Sequence, residues 1–226
     1  VSNDGTFVNT GSSSLTINRF TVRDNGLFRN FPNATGRMDL TGGTKILQDN
    51  AVMDNYGTLE LSSFMSIRNN ATLNNDLGGT FTHSAGDMYS FGSSRVLNDA
   101  TFTNTGGNLF LSGSALFQNT VNFTQTAGNT DIGNGSFVNA NSFNNFGTYN
   151  HDGGTTNIHG GATLLNDSFY NHDGGTLTVH ASGLFKNDFV NTISGGTVQI
   201  NAGGTLNGTG FASTTLTGGT LRVNGE

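Results

Sequence analysis

Two copies of one tetrad stand 21 residues apart, His151-Asp152-Gly153-Gly154 and His172-Asp173-Gly174-Gly175. Imidazoles and carboxylates are the side chains that hold divalent cations, and a chain that stacks the two tetrads makes His151, Asp152, His172 and Asp173 a candidate metal site. The same spacing separates His159 from His180, a second pair that could form a pH-sensitive surface stripe. A plainer reading competes with both. Neighbouring repeats are copies of one another, and the imidazoles and carboxylates sit at solvated turns. That reading is the one preferred, so no catalytic residue, cofactor or metal ligand is assigned.

Other chemistry finds less support. Glu60 and Glu226 are the only glutamates. Asp residues on successive repeats could supply paired carboxylates for glycoside cleavage, but no pair stands out. Arg19, Arg23, Arg29, Arg37 and Lys45 gather near the start. They could attract an anionic glycan, although a dispersed, solvated face is the simpler expectation. The Thr-x-Thr triplets at Thr101, Thr176 and Thr215 fall on different strands of the repeat and build no flat ice-like array. No Gly-Gly-x-Gly-x-Asp string marks a calcium-binding repeat.

Composition narrows the frame that must position these groups. Of 226 residues, 34 are Gly, 32 Asn and 32 Thr, with one proline, no cysteine and a net charge of −6. Gly, Asn and Thr are poor helix formers. The 18 Phe argue against a disordered chain. Nine basic residues against fifteen acidic ones speak against nucleic acid as a partner. No run of about eighteen apolar residues is present, so no membrane insertion is expected of this segment. The absence of cysteine fits the cytosol and exported bacterial surface proteins alike.

Repetition is the dominant signal. An apolar-x-apolar strand recurs, ending at Ile17, Leu40, Leu61, Phe91, Leu111, Ile132, Ile158, Val179, Ile200 and Val223. Most spacings are 20–23 residues, with longer ones of 30 before Phe91 and 26 before Ile158. A bulky residue two before an Asn recurs as well, as in Phe7/Asn9, Phe31/Asn33, Met53/Asn55, Phe102/Asn104, Phe169/Asn171 and Phe189/Asn191. A further set comprises Leu73/Asn75, Phe117/Asn119, Phe137/Asn139 and Phe185/Asn187. Each unit reads as three short strands with period-two alternation. One such unit cannot bury its own apolar face, and stacking solves the problem. The expectation is all-β: residues 1–226 as a single-domain β-solenoid (a parallel β-helix) with three short strands per coil and about ten coils of 20–23 residues. Phe102, Phe123, Phe169 and Phe189 are expected inside. The Asn residues are expected at corners, each donating to one neighbouring coil and accepting from the other.

The segments Gly203-Gly204-Thr205-Leu206-Asn207-Gly208-Thr209-Gly210, Gly218-Gly219-Thr220-Leu221-Arg222-Val223-Asn224 and Phe143-Asn144-Asn145-Phe146-Gly147-Thr148-Tyr149 resemble the β-helical passenger regions of bacterial autotransporters and filamentous-haemagglutinin-type exoproteins. The looser pattern covers nearly the whole chain. The resemblance implies right-handed coils and a bacterial, extracellular or cell-surface stalk, adhesin segment or filament subunit without catalytic activity. Its expected contacts are host or matrix glycans. The alternative is a carbohydrate-active β-helix enzyme, a polysaccharide lyase or hydrolase. No secretion cap or membrane barrel is recognised, and neither end carries an atypical unit. The coil is therefore expected to continue in a longer chain or to self-associate end to end.

Overall fold

The computed structural model describes residues 2–3, 5–10, 14–31, 37–133, 141–209 and 212–224. Within them the chain winds a parallel β-solenoid of three sheets. Sheet 1 has eleven strands, from Ser2–Asn3 to Thr220–Val223. Sheet 2 has ten, from Thr6–Asn9 to Thr205–Asn207, and sheet 3 has ten, from Leu15–Ile17 to Ser213–Leu216. One coil visits all three in turn, for example Thr155–Ile158, Thr163–Asn166 and Phe169–His172. Every strand pairs in parallel with the strand one coil on, as Thr155–Ile158 does with Thr176–Val179. About ten coils at the spacing of paired strands make a rod roughly 50 Å long. Among the described residues no helix is long and apolar enough to cross a membrane.

Most four-residue strands alternate half-buried and buried positions, as Thr155–Ile158 and Leu184–Asn187 do. Period-two geometry sends alternate side chains inward, and Thr, Val, Ile and aromatic residues suit that pleated surface. In sheet 3 the inward column is Phe81, Phe102, Phe123, Tyr149 and Tyr170, joined by direct register. Phe117 and Phe143 of sheet 2 stack at 4.5 Å and meet Phe123 edge-on.

Two register expectations need correction. Phe169 and Phe189 point outward and are 46% and 39% exposed. Tyr170 takes the inward place because its strand aligns Tyr170 with Tyr149 and His172 with His151. Both alternations of this strand carry an aromatic residue, and only alignment with the neighbouring coil decides between them. The list of strand ends also mixed two sheets. Ile17, Leu40 and Leu61 belong to sheet 3, whereas Leu111 and Ile132 belong to sheet 1. Phe91 faces outward, and Ser90 aligns with Leu111. The apparent 30-residue unit therefore does not exist.

The corner between sheets 2 and 3 holds a continuous ladder of asparagines. Asn9 donates its amide N–H to Oδ1 of Asn30, and the chain continues through Asn55, Asn75, Asn98, Asn119, Asn145, Asn166 and Asn187. All eight bonds are 2.7–2.9 Å, and all run from the earlier coil to the later one. Along the ladder each coil takes between 20 and 26 residues. Most of these amides also donate to the first carbonyl of the sheet 3 strand one coil on, as Asn98 does to Asn122 at 2.8 Å. A buried amide must be bonded on both sides, and only a residue of this shape at every level satisfies that. The expected corner ladder is present. Asn9, Asn55, Asn75, Asn119 and Asn187 come from the two Asn sets read in the sequence, whereas Asn104, Asn171 and Asn191 of those sets lie within sheet 3 strands and take no part in the ladder. Asn33 and Asn139 lie outside the described residues.

Candidate functional site

The tetrads stack as their spacing predicts, but the alternation of the strand splits each one. His151 and His172 are the last residues of Thr148–His151 and Phe169–His172 and lie in direct register. Both imidazoles point into the core and are fully buried. Their ring centroids are 4.6 Å apart, and Nδ1 of His172 lies 3.0 Å from Nδ1 of His151. The hydroxyl of Tyr170 sits 3.1 Å from the same His151 nitrogen. Such a contact holds only when one imidazole donates and the other accepts, so the two rings cannot both be protonated. Burial pushes both His151 and His172 well below the ordinary imidazole range, and in His151 the neighbouring His172 adds to the effect.

Asp152 and Asp173 follow one residue later and lie exposed at the turn. Burial and the facing Asp173 raise the Asp152 carboxyl, and the Ser194 hydroxyl donates to Asp173. The four residues therefore do not converge, and no group of three or more His, Cys, Asp or Glu among the described residues could hold a metal ion. The solvated-turn reading fits the two aspartates and fails for the two histidines. Sequence offered no inward cue for His151, because imidazole is rare in a core and is usually read as surface.

The pair belongs to a longer polar column within the core. Register aligns His83, Asn104, Gln125, His151 and His172, with Leu61 before them and Ile193 after. Gln125 Oε1 accepts from Tyr149 Oη at 3.1 Å, Thr130 Oγ1 at 2.9 Å and Thr156 Oγ1 at 3.2 Å. Asn104 closes a ring with Gly107, whose N–H donates to Oδ1 at 3.1 Å. Gly107 has no room for a side chain, since a Cβ there would lie 2.1 Å from the His83 ring. Burial lowers His83 to about 4.

His159 and His180 stack face to face, with centroids 4.6 Å apart and planes within 3°. His159 Nε2 lies 3.5 Å from Asp131, a buried carboxylate that also accepts from Asn129 and Asn157 at 2.7 Å. Burial opposes ionisation of Asp131, but the bonds from His159, Asn157 and Asn129 outweigh it and hold the carboxyl below its usual range. This pair is an ordered stack rather than two independent solvated rings.

The early basic residues form no single face. Arg29 pairs with Asp54 at 3.0 Å, and Arg37 with Glu60 at 2.7 Å. Lys45 occupies an inward position aligned with Phe20 and Met65. Its ammonium donates to the carbonyls of Thr41, Gly42 and Gly43 at 2.6, 3.0 and 2.9 Å, and to the Ser63 hydroxyl. Burial pushes it down to about 8. Alternation with Leu47 was the one signal that could have placed this lysine inside.

No family model matches the chain, and no curated protein matches it. Among solved structures, the crystal structure of a TibC-catalysed hyper-glycosylated TibA fragment aligns over 98% of this chain and 96% of that one, at 15% identity and a TM-score of 0.24. At those values the alignment carries no argument, and the fold rests on the register described above.

Proposed function

We propose that the chain is a non-catalytic structural or adhesive β-solenoid of the bacterial cell surface or exterior. The observation that carries this reading is the unbroken one-way asparagine ladder through nine coils. It commits one side chain per coil to joining each coil to the next, which suits an extended rod that holds its shape along its length. The His151–His172 contact joins two further coil levels inside the core. Hydroxyls, amides and carboxylates are left on the outside, where many weak contacts can add up. The resemblance of the repeat to autotransporter and exoprotein passengers supports the location.

Two measurements test the reading. Beads coated with the chain should adhere to epithelial cell layers in proportion to coating density, and incubation with anionic and neutral polysaccharides should release no new reducing ends or unsaturated products. Reproducible cleavage would replace this reading with that of a polysaccharide lyase or hydrolase. Beads that fail to adhere would remove the adhesive part of it.

A further inference from the structure

The outer face of sheet 3 carries exposed aromatic rings toward its C-terminal end. Over the coils from Phe146 to Ser194 the corner beside the asparagine ladder carries three half-exposed aromatic rings, Phe146, Phe169 and Phe189, at 44%, 46% and 39% exposure. Phe169 and Phe189 meet edge to face at 5.4 Å. None of them is needed to fill the core, whose place in this strand is already taken by Tyr170.

One outward step along the strand, about 7 Å away, lies a row of amides. Asn171 Nδ2 donates to Asn150 Oδ1 at 2.9 Å, and Asn150 donates to Asn122 at 3.3 Å. Thr192 continues the row in register with Asn171. At the end of the strands stand the exposed carboxylates of Asp152 and Asp173. The face thus offers aromatic rings along one edge, amides and a hydroxyl in the middle, and carboxylates along the other edge.

We propose that this face, from Phe146 to Asp173 and Thr192, binds a neutral saccharide. Phe169 and Phe189 pack against the C–H groups of pyranose rings, one with its face and the other with its edge, and Asn150 and Asn171 exchange hydrogen bonds with the ring hydroxyls. A pyranose has an apolar face and a rim of groups that both donate and accept, and the combination of flat rings with planar amides matches both. A few placed polar groups beside apolar surface is the general pattern of a small-molecule site. The coil repeat of about 4.8 Å is close to the length of one sugar unit, so successive coils can engage successive rings. Charge narrows the class. Asp152, Asp167, Asp173 and Asp188 face this region with Lys186 as the one nearby cation, and Lys186 is engaged by Asp188. Such a field repels uronic acids and other anionic sugars. The apolar line is one ring wide, narrower than a protein partner needs. The inference rests on the adhesive reading and names the ligand class for it.

Affinity electrophoresis tests it, with gels containing soluble β-glucan, galactomannan or dextran as neutral probes and pectate as the anionic one. At least one neutral polymer should slow the protein while pectate does not, and Phe169→Ala/Phe189→Ala should weaken that retardation about tenfold or more. Asn171→Asp, which keeps the side-chain size, should weaken it as well and decides the matter if the double variant fails to fold. The proposal is overturned if no neutral polymer retards the protein, if pectate retards it equally, or if the folded variants run as the parent does. Adhesion of coated beads without any gel retardation would leave the adhesive reading standing and remove this site. Retardation without bead adhesion would do the reverse.

Discussion

Changing Asn98 to Asp probes the direction of the ladder with almost no change of shape. In the parent, Asn98 Oδ1 accepts from Asn75 Nδ2 at 2.7 Å, and its Nδ2 donates to Asn119 Oδ1 at 2.7 Å, to Asn122 O at 2.8 Å and to Ala100 O at 3.2 Å. A carboxylate keeps the first contact and turns the other three into oxygen facing oxygen. Each buried group left unbonded costs about 1–3 kcal/mol, and more beside a charge, so Asn98→Asp should lose about 3–5 kcal/mol at pH 7. Protonation restores one donor. The folded state therefore raises the carboxyl above its unfolded value of about 3.9. The sign follows from linkage: between those two values the folded form holds a proton that the unfolded form has released, so stability falls as pH rises. Relative to the parent at the same pH, the deficit should be smallest near pH 4 and grow toward neutrality. Urea unfolding of both proteins across that range measures it. A deficit below about 1 kcal/mol at pH 7, or one that grows on acidification, would refute a ladder whose amides all donate toward the later coil.

Acid should weaken the parent protein through its buried imidazoles. His83 sits at about 4 in the fold against an ordinary 6.5, so the unfolded chain takes up a proton that the native core refuses, and stability is lost as pH falls from about 6.5 to about 4. For His83 alone the loss is about 3 kcal/mol, and His83→Leu should flatten that part of the urea-midpoint profile. Phe102→Ala should cost about 3–5 kcal/mol in thermal or urea unfolding, whereas the outward Phe169→Ala should cost under about 1 kcal/mol; equal losses would contradict the register. Gly107→Ala should destabilise by about 1–3 kcal/mol because its Cβ meets the His83 ring, and the double variant with His83→Ala should recover much of that loss in the same assay.

The three-strand coil was legible because turn residues and period-two alternation agree at nearly every level. The ladder was legible at Asn9, Asn55, Asn75, Asn119 and Asn187, where a bulky residue stands two places before. Asn30, Asn98, Asn145 and Asn166 carry the same mark through Phe28, Val96, Phe143 and Leu164, and each lies one coil from a neighbour already read in the sequence, as Asn30 does from Asn9, Asn98 and Asn145 from Asn119, and Asn166 from Asn187. The facing of Phe169 was not legible, since Phe169/Asn171 and Tyr170/His172 are equally good alternations and the choice belongs to the adjoining coil. Lys45 and the buried histidines stayed hidden for a related reason. Their inward places are set by their neighbours in the stack: Lys45 is met by the carbonyls of its own turn and by Ser63 of the next coil, while both ring nitrogens of His83 and Nε2 of His151 and His172 find no hydrogen-bond partner among the described residues. The carboxylates Asp152 and Asp173 were placed at the turn as read, and it was the side-chain parity of the preceding residue that dissolved the four-residue cluster.

The coil between Asn119 and Asn145 takes 26 residues, whereas its neighbour between Asn98 and Asn119 takes 21, yet the amide bond closing each is 2.7 Å. The surplus falls between the strand ending at Ile132 and the strand beginning at Ser142, and the stack resumes without a shift. Such a rod is tolerant cargo space. Foreign peptides, epitopes or small binding loops grafted between these two strands should leave the flanking coils in register and the amide ladder closed across them.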